Sequence, residues 1–232
     1  MATDGAWCVV PAAGRGARFG AERPKQYVEL AGRPLLEWTL ERLVATPCIT
    51  GLIVVLAPDD PYWPSIHVAG DKPVATTVGG AERCDSVLAG LRALPRQVAQ
   101  GDFVLVHDAA RPCVRGHDIA RLLAQVPAAG GGLLAAPLRD TLKRAGADGR
   151  VVATEPRESR WRALTPQAFR RGELVGALEA ARAAGVVVTD EAMAMERLGH
   201  RPLLVEGDEG NIKVTTPADL ALARHRLLEG GE

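Results

Sequence analysis

An α/β fold, with a mostly parallel sheet and helices on both faces, is what this sequence predicts, and three observations carry the prediction. Short apolar runs alternate with helical segments from the start of the chain to about residue 137. One of these runs, Gly51-Leu52-Ile53-Val54-Val55-Leu56-Ala57, has the continuous apolar character of a strand covered on both faces. Polar loops follow three of the strand candidates, where the ligand crevice of such a sheet lies.

The elements follow in order. Trp7-Cys8-Val9-Val10 reads as a short buried strand, stopped by Pro11 and a glycine-rich loop. Pro34 suits a first helical turn, and Leu36, Leu40 and Leu43 repeat at helical spacing behind it. After the strand at 51–57, Val74–Val78 is a weaker strand. Gly79-Gly80 then turns the chain into a helix that begins near Ala81 and runs to about Leu94. The strand at 103–107 delivers Asp108-Ala109-Ala110-Arg111-Pro112 at its carboxyl end. Ile119–Val126 is predicted helical and Gly132–Ala136 a strand. Asp140–Arg144 and Arg150–Thr154 flank an Asp148-Gly149 pair, a strong hairpin signal. Arg160–Gln167 returns the chain. Glu173–Ala184 and Glu191–Leu198 are helical, the second capped by Thr189-Asp190. Leu203–Glu206 and Asn211–Val214 are read as short strands. Thr216-Pro217-Ala218-Asp219 opens a last helix to about Leu228.

Composition narrows the function. The 232 residues can bury a sizeable core. Lys plus Arg equals Asp plus Glu at 28 each, so the net charge is zero. This argues against nucleic acid or a membrane surface as a partner, since both call for a basic excess. There is no apolar run near the roughly 18 residues of a membrane span and no secretory leader pattern, so a cytoplasmic protein is expected. Cys8, Cys48, Cys84 and Cys113 are scattered and read as free thiols, not as a zinc site or disulfide frame.

The opening loop, Pro11 to Gly20 followed by Pro24-Lys25-Gln26, places Arg15, Arg18, Arg23 and Lys25 among glycines. Glycines let backbone N–H groups approach an anion, and the cations add charge, which is the chemistry of a phosphate grip. A dinucleotide fingerprint fails because Phe19 stands where the third glycine belongs, and a P-loop fails for want of Gly-Lys-Ser/Thr. On the loop alone, a glycine-rich turn with solvated arginines is the alternative. Asp108, at a strand end beside the predicted crevice, suits Mg²⁺, which needs only one or two carboxylates when phosphates supply the rest. A turn aspartate paired to Arg111 is the competing reading. His107 is read as a satisfied strand-end histidine. Lys213, in a short apolar strand candidate, is unusual unless its head reaches water or an anion; an edge-strand lysine that blunts aggregation is the alternative.

The motifs gain meaning from their order. Pro11-Ala12-Ala13-Gly14-x-Gly16-x-Arg18, Pro24-Lys25-Gln26-Tyr27, Asp85-Ser86-Val87 and Val106-His107-Asp108-Ala109-Ala110-Arg111-Pro112 come first. Arg139-Asp140-Thr141, Leu164-Thr165-Pro166-Gln167, Thr189-Asp190-Glu191-Ala192 and Asn211-Ile212-Lys213-Val214-Thr215 follow. The set closely resembles the 2-C-methyl-D-erythritol 4-phosphate cytidylyltransferases of the non-mevalonate isoprenoid pathway, from about Trp7 to Leu228. That resemblance implies a single Rossmann-like domain of the nucleotidyltransferase type over residues 1–232. A β-arm at about 139–160 would interlock two subunits of a homodimer. It also implies transfer of a cytidylyl group from CTP to 2-C-methyl-D-erythritol 4-phosphate, with Mg²⁺, releasing pyrophosphate.

Roles carried over by resemblance are these. Arg18, Lys25 and Lys213 neutralise the triphosphate and the charge growing on the α-phosphate. Ala12, Ala13, Gly80 and Ser86 read the cytosine, with Gly14, Gly16 and Arg83 in the same nucleotide site. Asp108 holds Mg²⁺ and the ribose. Thr141, Arg157, Thr165 and Thr189 hold the sugar phosphate, some of them across the subunit boundary, and Arg111 lies in the same region. Arg15 is read as a solvated bystander. Ala81 departs from the family pattern, in which an aspartate is frequent. Two rivals are a cytidylyltransferase for another polyol phosphate, such as ribitol 5-phosphate, and a non-catalytic nucleotide sensor on the same fold.

Overall fold

The computed structural model describes residues 5–14 and 23–228. Among these, seven strands form one sheet. They are Ala6–Pro11 (β1), Ile49–Leu56 (β4), Val74–Val78 (β5), Phe103–Val106 (β6), Gly131–Pro137 (β7), Trp161–Arg170 (β10) and Leu203–Glu206 (β11). Their order across the sheet is β11-β7-β10-β6-β1-β4-β5. Every pairing is parallel except those of β10, which runs antiparallel between β6 and β7. Two small pairs stand apart, Glu29–Leu30 (β2) with Arg33–Pro34 (β3), and Leu142–Ala145 (β8) with Val151–Glu155 (β9).

Six α-helices accompany the sheet among the described residues: Leu35–Ala45 (α1), Arg83–Arg92 (α2), Gly116–Ala129 (α3), Arg171–Ala183 (α4), Glu191–Arg197 (α5) and Pro217–Leu228 (α6). Side chains of a strand alternate between faces, so β1 sends Cys8 and Val10 to one core and Val9 to the other. The first core gathers Leu36, Leu40 and Leu43 of α1 with Ile119, Leu122 and Val126 of α3. The second gathers Val87, Leu88 and Leu91 of α2 with Leu174 and Leu178 of α4 and Met195 of α5. The predicted α/β architecture with helices on both faces is what forms.

The helix starts follow local chemistry. Asp190 caps α5 by accepting from Met193 N–H at 2.9 Å. Thr216 and Asp219 cap α6 reciprocally: Thr216 N–H donates to Asp219 Oδ2 at 2.8 Å, and Asp219 N–H to Thr216 Oγ1 at 3.3 Å. The β8–β9 hairpin forms where Asp148-Gly149 predicts it, with Gly149 at φ +77° and Gly146 N–H bonded to Arg150 O at 2.9 Å.

One predicted strand does not form. Residues 211–214 belong to no sheet. Their apolar residues are buried without a ladder: Val214 and Ile212 pack with Leu30, Leu35 and Ala110, and Val214 N–H donates to Ala110 O at 2.8 Å. The apolar pattern reported burial, and the tertiary contacts supplied it without strand pairing.

Candidate active site

The carboxyl ends of β1, β5 and β6 open onto one pocket of about 190 Å³. Ala12, Ala13 and Gly14 line it from the loop after β1, Gly80 to Arg83 and Ser86 from the turn into α2, and Asp108 to Ala110 from the loop after β6. Lys25 and Lys213 close it from elsewhere in the chain. The three loops singled out in the sequence thus converge.

The first wall is tied by Gln26, only 3% exposed. Its Nε2 donates to Ala12 O at 2.5 Å and Gly14 O at 3.1 Å, so the 3₁₀ turn Lys25–Tyr27 is fastened to the loop after β1. Lys25 is carried by that turn. The second wall needs glycine for space. A Cβ on Gly79 would lie 2.6 Å from Ser86 Oγ and 3.0 Å from Ala13 Cβ, and one on Gly80 2.4 Å from Asp85 Cβ. The two glycines let the backbone lie flat against the start of α2, where Ser86 Oγ donates to Glu82 O at 3.2 Å.

Asp108 is the electrostatic centre. Lys213 Nζ lies 2.9 Å from Oδ2, Arg111 Nε 3.2 Å from the same oxygen, and Arg83 Nη2 3.4 Å from Oδ1. Burial favours the neutral acid, but Lys213 first, then Arg83 and Arg111, outweigh it and hold the carboxyl below its ordinary range. Arg83 is itself clamped by the fully buried Glu191, at 2.5 and 3.1 Å. Burial disfavours the Arg83 cation, yet Glu191 and then Asp108 raise its pKa above the ordinary arginine value.

Behind Asp108 lies a buried polar chain. His107 Nε2 sits 3.1 Å from Arg111 O, and a carbonyl only accepts, so Nε2 carries the proton. His107 Nδ1 then accepts from Thr165 Oγ1 at 3.0 Å, while Thr165 accepts from Asp108 N–H at 3.1 Å. Burial lowers the His107 pKa to about 4, so the ring is neutral near pH 7. The satisfied-histidine reading stands. Arg111 donates from Nη1 to Asn211 O at 2.7 Å and from Nη2 to Ala163 O at 3.5 Å, besides its bond to Asp108. Asn211 Nδ2 in turn donates to Thr165 O at 2.7 Å. This mesh suspends the segment that carries Lys213.

Of the sequence-predicted site residues, Ala12, Ala13, Gly14, Lys25, Gly80, Arg83, Ser86, Asp108 and Lys213 line the pocket. Arg111 and Thr165 lie behind Asp108, each nine-tenths buried with polar groups committed to the chain. Thr141 and Arg157 flank the hairpin and Thr189 precedes α5; all three are exposed and none lines the pocket. Gly16 and Arg18, with Arg15, lie outside the described residues. Sequence reasoning assigned no role to Gln26, Glu191 or Gln167. Gln167 Nε2 donates to Asp190 Oδ2 at 2.9 Å and its Oε1 accepts from Ala192 N–H at 2.7 Å, fixing both sides of Glu191. The available signal was membership in the motifs themselves: the three residues stand in Pro24-Lys25-Gln26-Tyr27, Thr189-Asp190-Glu191-Ala192 and Leu164-Thr165-Pro166-Gln167.

Residues 6–229 match the family described as 2-C-methyl-D-erythritol 4-phosphate cytidylyltransferase. The chain belongs to that family. It is therefore a nucleotidyltransferase that moves a cytidylyl group from CTP to 2-C-methyl-D-erythritol 4-phosphate, in isoprenoid precursor synthesis. A relative from Stenotrophomonas maltophilia with the same description is 62% identical over 216 residues, covering 92% of this chain and 93% of the relative. One from Xanthomonas campestris is 60% identical over 221 residues, covering 94% and 83%. A solved structure described as 4-diphosphocytidyl-2C-methyl-D-erythritol synthase superposes with a TM-score of 0.83 at 37% identity, covering 97% of this chain and all of that one. In this cytidylyltransferase the converging strand-end loops and the Lys213–Asp108 pair form the candidate catalytic centre.

Proposed function

We propose that cytidylyl transfer takes place in the pocket around Asp108, and that Lys25 and Lys213, together with Arg18, are its working cations. The observation that carries the reading is Asp108 itself, a buried carboxylate facing Lys213, Arg83 and Arg111 at the meeting point of three strand ends. A phosphate monoester oxygen attacks the α-phosphorus of CTP in line, the bond to the β-phosphate oxygen breaks, and pyrophosphate leaves. Such a displacement asks the protein for position and charge stabilisation more than for covalent chemistry. Lys213, on an exposed side chain, exchanges Asp108 for an α-phosphate oxygen as CTP arrives, and Lys25 faces the leaving phosphates. The backbone of Ala12, Ala13 and Gly80 with the Ser86 hydroxyl reads the cytosine edge, and Gly14 and Gly16 belong to the same nucleotide site. Arg83 is held in the wall by Glu191.

The donor set fits a divalent cation. Asp108 presents carboxylate oxygens at the pocket, the described residues contain no cluster of three or more His, Cys, Asp or Glu, and Mg²⁺ characteristically takes its remaining ligands from phosphates and water. Asp108 would hold Mg²⁺, which when bound neutralises phosphate charge. Arg111 and Thr165 act as positioning residues, because their polar groups already serve Asp108, His107 and the 211–214 segment. Thr189, and Thr141 and Arg157 at the two ends of the hairpin, hold the sugar phosphate, the latter two in the neighbouring subunit's pocket. The hairpin exposes Val151 and Val152, 64% and 58% accessible, apolar area that suits a dimer contact. One domain spanning residues 1–232, with this arm inserted at about 139–160, and a cytoplasmic location suited to four free thiols complete the reading.

The test is pyrophosphate release with CTP, Mg²⁺ and either 2-C-methyl-D-erythritol 4-phosphate or ribitol 5-phosphate, repeated with EDTA. Release with the first acceptor alone, abolished by EDTA, is expected. Release without any divalent ion would remove Mg²⁺ from the reading, and release with ribitol 5-phosphate alone would reassign the acceptor.

A further inference from the structure

A second cavity, of about 390 Å³, shares no residue with the nucleotide pocket. It lies between the end of α1, the loop from Cys113 into α3, and the end of α6, within the volume range of small-molecule sites. Arg42, Arg115 and Arg226 line it, with His117 beside them. In a chain of zero net charge, three guanidinium groups around one cavity are not a by-product of basic composition.

The three groups converge. Arg115 Nη2 lies 2.6 Å from Asp208 Oδ2, and Arg226 Nη1 3.4 Å from Asp208 Oδ1. Burial pushes the Cys113 thiol up to about 11 against the opposing pull of Arg226 and Arg42, whose charges both reach the sulfur. Asp208 is the carboxylate that Arg115 and Arg226 share, so two of the three guanidinium groups divide one anion, while His117 Nε2 lies 3.1 Å from Asp118 Oδ1. The guanidinium of Arg42 donates to none of the described residues; its backbone carbonyl accepts from Thr46 Oγ1 at 2.8 Å. Arg226 Nε is buried and has no partner among the described residues. The first turn of α3 also borders the cavity, with no side-chain cap on its N–H groups.

We propose that this cavity is a second anion site, which takes a small molecule bearing a phosphate or diphosphate group and grips it through Arg42, Arg115 and Arg226. Planar guanidinium forks match phosphate oxygens two at a time, and backbone N–H groups at a helix start add donors of the same polarity. The volume exceeds that of a bare phosphate ion, so the ligand carries the anionic group on a larger body.

Inorganic pyrophosphate is the probe, followed by isothermal titration calorimetry on the full chain. Because pyrophosphate is also a product of the reaction, the two sites are separated by substitution. The native protein is expected to bind two equivalents per chain. Arg42→Ala and Arg42→Glu, which remove a side chain without a partner among the described residues, should weaken one equivalent at least tenfold and keep native turnover. Lys213→Ala should weaken the other equivalent and leave the first. A single equivalent in the native protein, lost in Lys213→Ala, would overturn the proposal. Two equivalents unaffected by Arg42→Glu and by Arg226→Gln would overturn it equally.

Discussion

Replacing Lys213 by alanine tests whether the Lys213–Asp108 contact serves transfer or merely folding. The contact is 2.9 Å long, yet the lysine side chain keeps 39% of its exposure. A pair this open to water contributes about 0–1 kcal/mol to stability. Asp108 is not stranded by the loss, because Arg111 at 3.2 Å and Arg83 at 3.4 Å remain. The segment itself stays anchored by Val214 N–H on Ala110 O and by Asn211. The effect on the transition state is larger. Losing one pre-placed donor to a developing phosphate charge costs about 2.7–4 kcal/mol, or roughly 10²–10³ in kcat. The assay is pyrophosphate release at saturating CTP and 2-C-methyl-D-erythritol 4-phosphate, paired with urea unfolding of the same sample. Turnover within about threefold of native would take Lys213 out of the transition state. A stability loss above about 3 kcal/mol would show that the pair is structural.

Other predictions rest on the supporting groups. His107 has a folded-state pKa of about 4 against an ordinary 6.5, so the unfolded chain takes up the proton first. The stability it contributes is present above pH 6.5 and lost as pH falls towards 4, by about 3 kcal/mol. Urea unfolding between pH 7 and 4 should show that slope, and His107→Gln should flatten it; an unchanged slope in the variant refutes the assignment. Glu191→Gln removes the buried charge that faces Arg83 and should cost about 3 kcal/mol, with a raised KM for CTP; a native melting temperature would count against it. Deleting the hairpin from Lys143 to Val152 should give monomers by light scattering, and a persistent dimer would exclude the hairpin as the subunit contact. Lys25→Ala should lower kcat by roughly 100-fold or more, and near-normal turnover would remove Lys25 from the mechanism.

Much of this arrangement is legible in sequence, where local pattern and local chemistry agree. β4 is an inner strand with helices on both sides, and burial on both faces selects the continuous apolar run by which it is read. The loops after β1, β5 and β6 converge because parallel strands end on the same side of a sheet, so order along the chain implies proximity in space. The 211–214 segment misled because packing on Leu30 and Leu35 selects the same residue types as a strand does. The Gln167–Glu191–Arg83 linkage was invisible for another reason. Glu191 meets Arg83 across 108 positions of sequence, and no periodicity reports a contact of that kind. The antiparallel course of β10 likewise depends on where the hairpin returns the chain, which no residue within β10 declares.

The ladder between β10 and β7 is interrupted. Ala163 faces Ala135 and Gln167 faces Leu133, so Leu164, Thr165 and Pro166 together stand against Leu134 alone. Thr165, under His107 and Asp108, sits within this irregularity, and Gln167, which holds the start of α5, ends it. An engineer who excised the surplus residues to regularise the sheet would complete a run of backbone pairing while removing the footing of the pocket around Asp108. Here thermostability and turnover are opposing design goals, and strand repair in this enzyme belongs at β5 or β11, away from that interruption.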